Sequence, residues 1–365
     1  MNIGIDISML VYRGSGVATY TFNLVKYLLE IDKKNTYHLF YSSLRRPANF
    51  TYLDDLKAKG GNVHDLPFPP RVLKFCWNTT QIMPVEWFTG KVDIFHSSDF
   101  LRPPLLKGTK GVTTIHDLTW KKHPEFHTQD IIDAHERKLK RTIAQGDVII
   151  VDSQKTKEDL YYYYPHAKNP VFNVPLGVDQ EFFKPPEKER ITRVIERYKL
   201  KVPYILYVGA IEPRKNIPTL VTAFNEVLKT HPEMQLVLAG RAGWKNEEVF
   251  ALVDKYGLKE KVRFTGYIEE SDLPALYQGA ILFVYPSLYE GFGLPPLEAL
   301  ASKTPTIAYN SPSLDQEFVD YIDPMNLAKE IVWKIKSPEI PPVKILTWKD
   351  VAQKTLEVYE KMNNT

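Results

Sequence analysis

The chain has 365 residues, 44% of them hydrophobic and 25% charged, and a net charge of +3. This is too long for one ordinary core and suits two domains, with the composition of a soluble globular protein. The small net charge gives no support for nucleic acid binding; the single cysteine, Cys76, excludes a disulfide framework and points to a reducing compartment; and no uncharged apolar run is long enough to span a bilayer.

The opening Met-Asn-Ile-Gly-Ile-Asp reads as a buried strand and not as a signal peptide, so a cytoplasmic location is expected, with peripheral attachment at the inner face of a membrane left open. Strands are predicted at 3–7, 37–41, 94–96, 111–115, 148–151 and 171–174, and a second series at 204–208, 235–239, 262–265, 281–285 and 306–309. Most are near-continuous apolar runs, as parallel strands covered on both faces require. Helical stretches at 17–29, 130–145, 153–163, 218–229 and 247–256 alternate with them. The pattern predicts an α/β chain of two Rossmann-like, doubly wound domains. A Pro-rich, charged stretch over 175–189 marks the boundary. We place the domains at 1–182 and 183–347, with an amphipathic helix at 348–363 crossing back onto the first.

Taken in order, several loops carry chemistry. Gly14-Ser15-Gly16 follows the first strand but lacks the third glycine and the acidic partner of the dinucleotide fingerprint. It reads either as close helix–strand packing or as a ligand contact. His96 and Asp99 follow one strand, and His116-Asp117 follow another, at the carboxyl ends where ligands of open α/β sheets bind. The basic run 137–141 reads as a solvated helix face, with anionic lipid as the alternative. Farther on, Glu212-Pro213-Arg214-Lys215-Asn216 joins a strand to a helix, with Asn216 as a candidate N-cap. Two cations beside a positive helix start are unfavourable unless an anion comes between them, which suggests a diphosphate.

The most informative stretch is Tyr289-Glu290-Gly291-Phe292-Gly293-Leu294-Pro295-Pro296-Leu297-Glu298. Two glycines allow a tight turn, and prolines open a helix whose bare N-terminus attracts anions. Glu290 and Glu298 flank that start, and carboxylates accept hydrogen bonds from hydroxyls. Phosphate-binding amides beside hydroxyl-binding carboxylates fit a nucleotide-sugar. The sequence has no Asp-x-Asp pair, His-Glu-x-x-His, Gly-x-Ser-x-Gly or P-loop. Phosphate charge then falls to Arg, Lys and helix N-termini, and neither a metal nor a cofactor is expected.

In this order the motifs resemble retaining nucleotide-sugar glycosyltransferases of family 4, which have the GT-B fold of two Rossmann-like domains facing a central cleft. The resemblance covers nearly the whole chain and is most specific at Glu290 to Glu298, which is similar to the family's Glu-x7-Glu motif. It implies that Glu290 holds donor-sugar hydroxyls, that Gly291, Phe292 and Gly293 contact the same sugar, and that the helix start at Leu294 faces the diphosphate. It further implies that Glu298 binds the ribose, that Lys215 neutralises the leaving phosphate, and that Tyr267 and Ile268 meet the base. Gly16 would lie where donor phosphate and acceptor meet, and His116 would face the reacting sugar. Gly14, Ser15, His96, Asp99 and Asp117 are assigned to the acceptor side. Many members carry an arginine where this chain has Ala210, which leaves Arg214 or Arg241 to supply the second cation. The stretch 311–327 is shorter than usual. The Gly-Ala-Ile-Glu-Pro-Arg-Lys-Asn version resembles mannosyl- and rhamnosyl-type members that build surface polysaccharides, and so leans toward GDP-mannose. The partners implied are a nucleotide-sugar donor and a glycan or lipid-linked acceptor. A nucleotide-sugar epimerase, a phosphorylase on a similar frame and a non-catalytic nucleotide-sugar sensor are the competing readings.

Overall fold

The computed structural model describes residues 1–12, 14–43, 50–97, 100–315, 319 and 321–363. The chain divides into two compact units, Met1–Gly177 with Leu346–Thr365, and Val178–Ile345.

The first unit is built on seven strands, β1 (Asn2–Asp6), β2 (Thr36–Ser42), β3 (Asn62–Leu66), β4 (Ile94–Ser97), β5 (Lys110–Ile115), β6 (Val148–Val151) and β7 (Val171–Asn173), in the order β3-β2-β1-β4-β5-β6-β7. Every pairing is parallel. β3 is absent from the strands expected above. It is an edge strand with a half-exposed face, and Asn62-Val63-His64-Asp65-Leu66 offers no apolar run. The second unit repeats the plan with β8 (Tyr204–Val208), β9 (Gln235–Ala239), β10 (Val262–Gly266), β11 (Leu282–Tyr285) and β12 (Thr306–Ala308), ordered β10-β9-β8-β11-β12 and again all parallel. Both sheets are therefore doubly wound, with a switch point beside β1 in one and beside β8 in the other.

The first division falls between Gly177 and Val178, and not after residue 182 as expected. The intervening residues belong to the second unit by their packing. The Phe182 ring meets Tyr277 at 5.9 Å. The helix Trp348–Asn363 belongs to the first unit and buries Trp348, Val351, Ala352, Val358 and Tyr359 there. The returning chain passes so close to Gly177 that a Cβ there would lie 2.5 Å from the Thr347 carbonyl carbon, which only glycine permits.

One ion pair lies in the interior of the first unit. The Arg102 guanidinium forks onto Asp147, Nε at 3.0 Å and Nη2 at 2.6 Å, and Thr113 Oγ1 donates to the same carboxylate at 3.3 Å. Arg102 is 4% exposed and Asp147 3%. Among the described residues, no helix is long and apolar enough to cross a membrane.

Candidate active site

In the second unit the chain leaves β8 first toward β9 and β10, then returns to lay β11 on the other side. Ligands of such sheets bind outside the strand carboxyl ends at that switch point. Two loops leave there: the one after β8, which contains the short turn Pro213–Lys215, and the one after β11, which reaches the helix Leu294–Ala301. Leu288 N–H donates to the Arg214 carbonyl at 2.9 Å and ties the loops together.

These loops bring the expected charged residues into one cluster. Lys215 Nζ donates to Glu290 Oε1 at 2.6 Å and to the Tyr285 hydroxyl at 2.5 Å. Arg214 Nη1 donates to Glu290 Oε2 at 2.7 Å and to the Tyr289 carbonyl at 3.1 Å, while Nη2 donates to Glu212 at 3.0 Å. The Tyr285 ring, stacked on Tyr207 at 5.8 Å, floors the lysine. Lys215 is 7% exposed and Glu290 6%. Burial would raise the Glu290 carboxyl, but Arg214 and then Lys215 outweigh it and hold the pKa at about 2. The Lys215 ammonium is pushed below its ordinary value by burial and by Arg214, with Glu290 and Glu212 opposing. The anion that comes between the two cations is thus Glu290 itself.

Behind Glu290 the chain turns through Gly293, at φ +91°, into the helix with Pro295 and Pro296 in its first turn. A Cβ on Gly293 would sit 1.9 Å from Ser311 Oγ. Ser311 Oγ donates to the Phe292 carbonyl at 3.3 Å and Ser313 Oγ to the Gly293 carbonyl at 2.8 Å, so two serines fix the turn that carries Gly291, Phe292, Gly293 and Leu294. One turn into the helix, Glu298 is half-buried and accepts from the Tyr277 hydroxyl at 3.0 Å. Burial raises its carboxyl to about 7; Tyr277 opposes, and Glu270 and Asp179 add to the rise.

After β10, Ile268 is buried and Tyr267 is half-buried, with the Arg241 guanidinium 4.9 Å from the Tyr267 ring centre. Arg241 is exposed over that ring, and Arg214 is the cation that joins Lys215 at Glu290. Asn216 does not act as the expected cap: it has φ +54°, and its Oδ1 accepts from the Thr219 hydroxyl at 2.8 Å instead of from a backbone N–H.

In the first unit, Ser15 caps the helix Gly16–Ile31 by accepting from Ala18 N–H at 3.2 Å, with Gly14 and Gly16 exposed on either side. A Cβ on Gly16 would meet nothing within 4 Å, so packing does not demand the glycine. His116 Nδ1 lies 2.6 Å from Asp152 Oδ2, and the ring packs edge-on against Tyr20 at 4.7 Å. Burial raises the Asp152 carboxyl, with His116 pulling it down and Asp117 pushing it up. Asp117 accepts from Thr119 N–H at 2.9 Å, which holds the turn after β5.

His96 does not line a ligand surface as expected. It is 1% exposed, and both ring nitrogens are taken, Nδ1 by the Tyr359 hydroxyl at 2.6 Å and Nε2 by Thr114 Oγ1 at 2.7 Å. Burial, then Lys138 and His116, hold its pKa down at about 3. It is a core residue that fastens the last helix to the sheet. Asp99 lies outside the described residues. The basic run 137–141 is not a free cationic face either: Lys138 is buried and donates to the Thr114 carbonyl at 3.0 Å, and Arg141 donates to the Asn78 and Thr79 carbonyls.

Sequence reasoning missed Glu212, Tyr285, Asp152, Ser311 and Ser313. Tyr285 ends β11 and Asp152 follows β6, so the strand-end rule that found His116 would have found both. The serines gave no local signal, because they act across a loop that only the tertiary fold closes.

The architecture is that of the GT-B glycosyltransferases. Sucrose-phosphate synthase of Thermosynechococcus elongatus superposes with a TM-score of 0.74 over 100% of this chain and 99% of its own, at 19% identity. HepE of Anabaena, in complex with UDP-glucose, does so with a TM-score of 0.69 over 100% of both chains, at 15% identity. Family models agree and go further. The one described as Glycosyltransferase Family 4 matches residues 14–182, and Glycosyl transferases group 1 matches 188–337. The O-antigen chain mannosyltransferase B of Escherichia coli is 32% identical over 225 residues, which span 61% of this chain and 58% of the relative. The chain belongs to glycosyltransferase family 4.

Proposed function

We propose that the chain is a retaining glycosyltransferase. It moves a sugar, mannose from GDP-mannose as the leading candidate, from a nucleotide-sugar to a hydroxyl of a glycan or lipid-linked acceptor, with α linkage and no metal. The observation that supports this best is the buried Lys215–Glu290–Arg214 cluster at the switch point, beside the helix start at Leu294. The mannosyltransferase relative supports the choice of sugar.

In this reading the bond from the anomeric carbon to the phosphate oxygen breaks first, and its electron pair stays on the diphosphate. The transition state is oxocarbenium-like, so charge on the leaving group is the main quantity to stabilise. Lys215 and the Leu294 helix start serve that purpose. The acceptor oxygen joins the same face of the sugar, and its proton passes to the departing phosphate oxygen. Glu290 and the Gly291–Gly293 turn hold the sugar, Glu298 the ribose, and Tyr267 with Ile268 the base. The first unit is assigned the acceptor, with the His116 ring oriented by Asp152. Attachment to a membrane surface remains part of the reading for a lipid-linked acceptor only.

A thermal-shift panel of GDP-, UDP-, ADP- and dTDP-sugars tests the donor, since a ligand raises apparent stability by mass action. GDP-mannose should give the largest shift. A larger shift with a UDP-sugar would overturn the choice of base, and no shift with any would overturn the donor site.

The Glu298 carboxyl gives an independent check. The folded chain holds this proton where the unfolded chain has lost it, so the group's contribution to stability falls as pH climbs from 4.5 to about 7. Ribose hydroxyls need the ionised form as acceptor. Nucleotide affinity should therefore fall on acidification, approaching roughly tenfold per unit well below pH 7, with proton release seen by calorimetry in buffers of different ionisation heat. Glu298→Gln should flatten the profile, and a flat wild-type profile would remove Glu298 from the ribose.

A further inference from the structure

The cations of this site are already matched. Arg214 and Lys215 bring two positive charges, and the buried Glu212 and Glu290 bring two negative ones. Each link is direct: Glu212 to Arg214 at 3.0 Å, Arg214 to Glu290 at 2.7 Å and Glu290 to Lys215 at 2.6 Å. Ala210, just past the end of β8, adds no charge. A diphosphate that enters this cluster finds no surplus of positive charge, and the place beside Lys215 is held by the Glu290 carboxylate. Like charges left side by side in so dry a setting repel strongly.

Resting on the donor-site reading above, we propose that Glu212 and Arg214 are a positioning pair that keeps Glu290 on Lys215 in the empty site, so that the donor diphosphate must displace Glu290 before Lys215 can serve the leaving group. The displaced carboxylate turns to the sugar hydroxyls. Arg214 does not follow Lys215 to the phosphates, because Glu212 retains it. An intact nucleotide-sugar satisfies both ends of the exchange: its diphosphate replaces Glu290 on the lysine, and its hydroxyls replace the lysine on Glu290. A nucleoside diphosphate satisfies one end only and leaves Glu290 facing phosphate. The cluster thereby discriminates for the donor over its own spent product, and after transfer Glu290 reclaims Lys215 and expels the nucleotide. Glu212 carried no role in the sequence reading, and this is the role the geometry gives it.

Calorimetric titration of the full chain with GDP, UDP and GDP-mannose tests the exchange. Glu290→Gln should bind the nucleoside diphosphate roughly tenfold more tightly than wild type, because the competing carboxylate is gone, and its preference for the intact donor should vanish. Glu212→Gln, a milder change that leaves Glu290 paired, should also tighten the nucleoside diphosphate by releasing Arg214, while kcat falls. A purely structural Glu212 would weaken both ligands alike. Circular dichroism and melting establish that each variant is folded, and Glu212→Gln is read alone if Glu290→Gln is not. Unchanged or weaker nucleoside diphosphate binding in the folded variants overturns the exchange but leaves the donor site standing. Absence of binding by any nucleotide or nucleotide-sugar to wild type overturns both.

Discussion

Lys215→Ala should lower kcat by roughly 10²–10³-fold, with the fold intact. The Lys215 ammonium is held by the Tyr285 hydroxyl over a floor of stacked tyrosines, which keeps it in place when the donor displaces Glu290. Preorganised charge in a dry site acts most strongly where new charge develops, which here is the leaving diphosphate. The loss should therefore fall mainly on kcat and on kcat/KM together, the pattern of an interaction made in the transition state. The substitution also leaves Glu290 with Arg214 as its remaining cation, so the Glu290 carboxyl should rise from about 2 toward ordinary values. Steady-state kinetics with the donor found by the thermal-shift panel would decide. Turnover within a factor of about three of wild type would exclude Lys215 from the chemistry.

Arg102→Ala should destabilise the first unit by about 3–5 kcal/mol, far from the residues assigned to chemistry. Removing one partner strands the Asp147 carboxylate in the interior with Thr113 as its remaining side-chain donor. The carboxylate cannot simply move away, since Gly111 packs against it so closely that a Cβ there would lie 2.2 Å from Asp147 Oδ1. Replacing both charges, Arg102→Met with Asp147→Leu, should recover much of the loss, because the desolvation cost of the pair disappears with it. Urea unfolding of the two variants measures the difference. A loss below about 1 kcal/mol for Arg102→Ala would mean that water reaches the pair.

Much of this was readable in the residues. The strands of both sheets announced themselves because parallel strands covered on both faces must be apolar along their length, as in Tyr204–Val208. β3 did not, because an edge strand needs no such run and Asn62–Leu66 carries a histidine and an aspartate. The cluster of Lys215 and Glu290 was legible from two motifs that each sit at a strand end, although nothing in the spacing said that the glutamate would lie on the lysine. His96 misled because its position after an apolar strand is also what a core histidine looks like. The difference lies in Tyr359, more than two hundred residues away in sequence, whose hydroxyl consumes Nδ1. Likewise the run 137–141 looks like a solvated basic face until the helix is docked and Lys138 is found beneath it. What local pattern cannot show is which polar groups meet across distant segments, and the misreadings here are of that kind.

The helix Trp348–Asn363 has a bearing on how the chain matures. It closes the core of the first unit with Trp348, Val351 and Tyr359, and Tyr359 is the partner that satisfies His96. On the ribosome, which releases sequence from the amino end, Val178–Ile345 emerges whole before that helix exists. Until Trp348–Asn363 leaves the tunnel, the earlier unit carries an uncovered apolar face and a His96 imidazole with one nitrogen unmatched. Of the two units, the one whose synthesis starts earlier is therefore the one completed later.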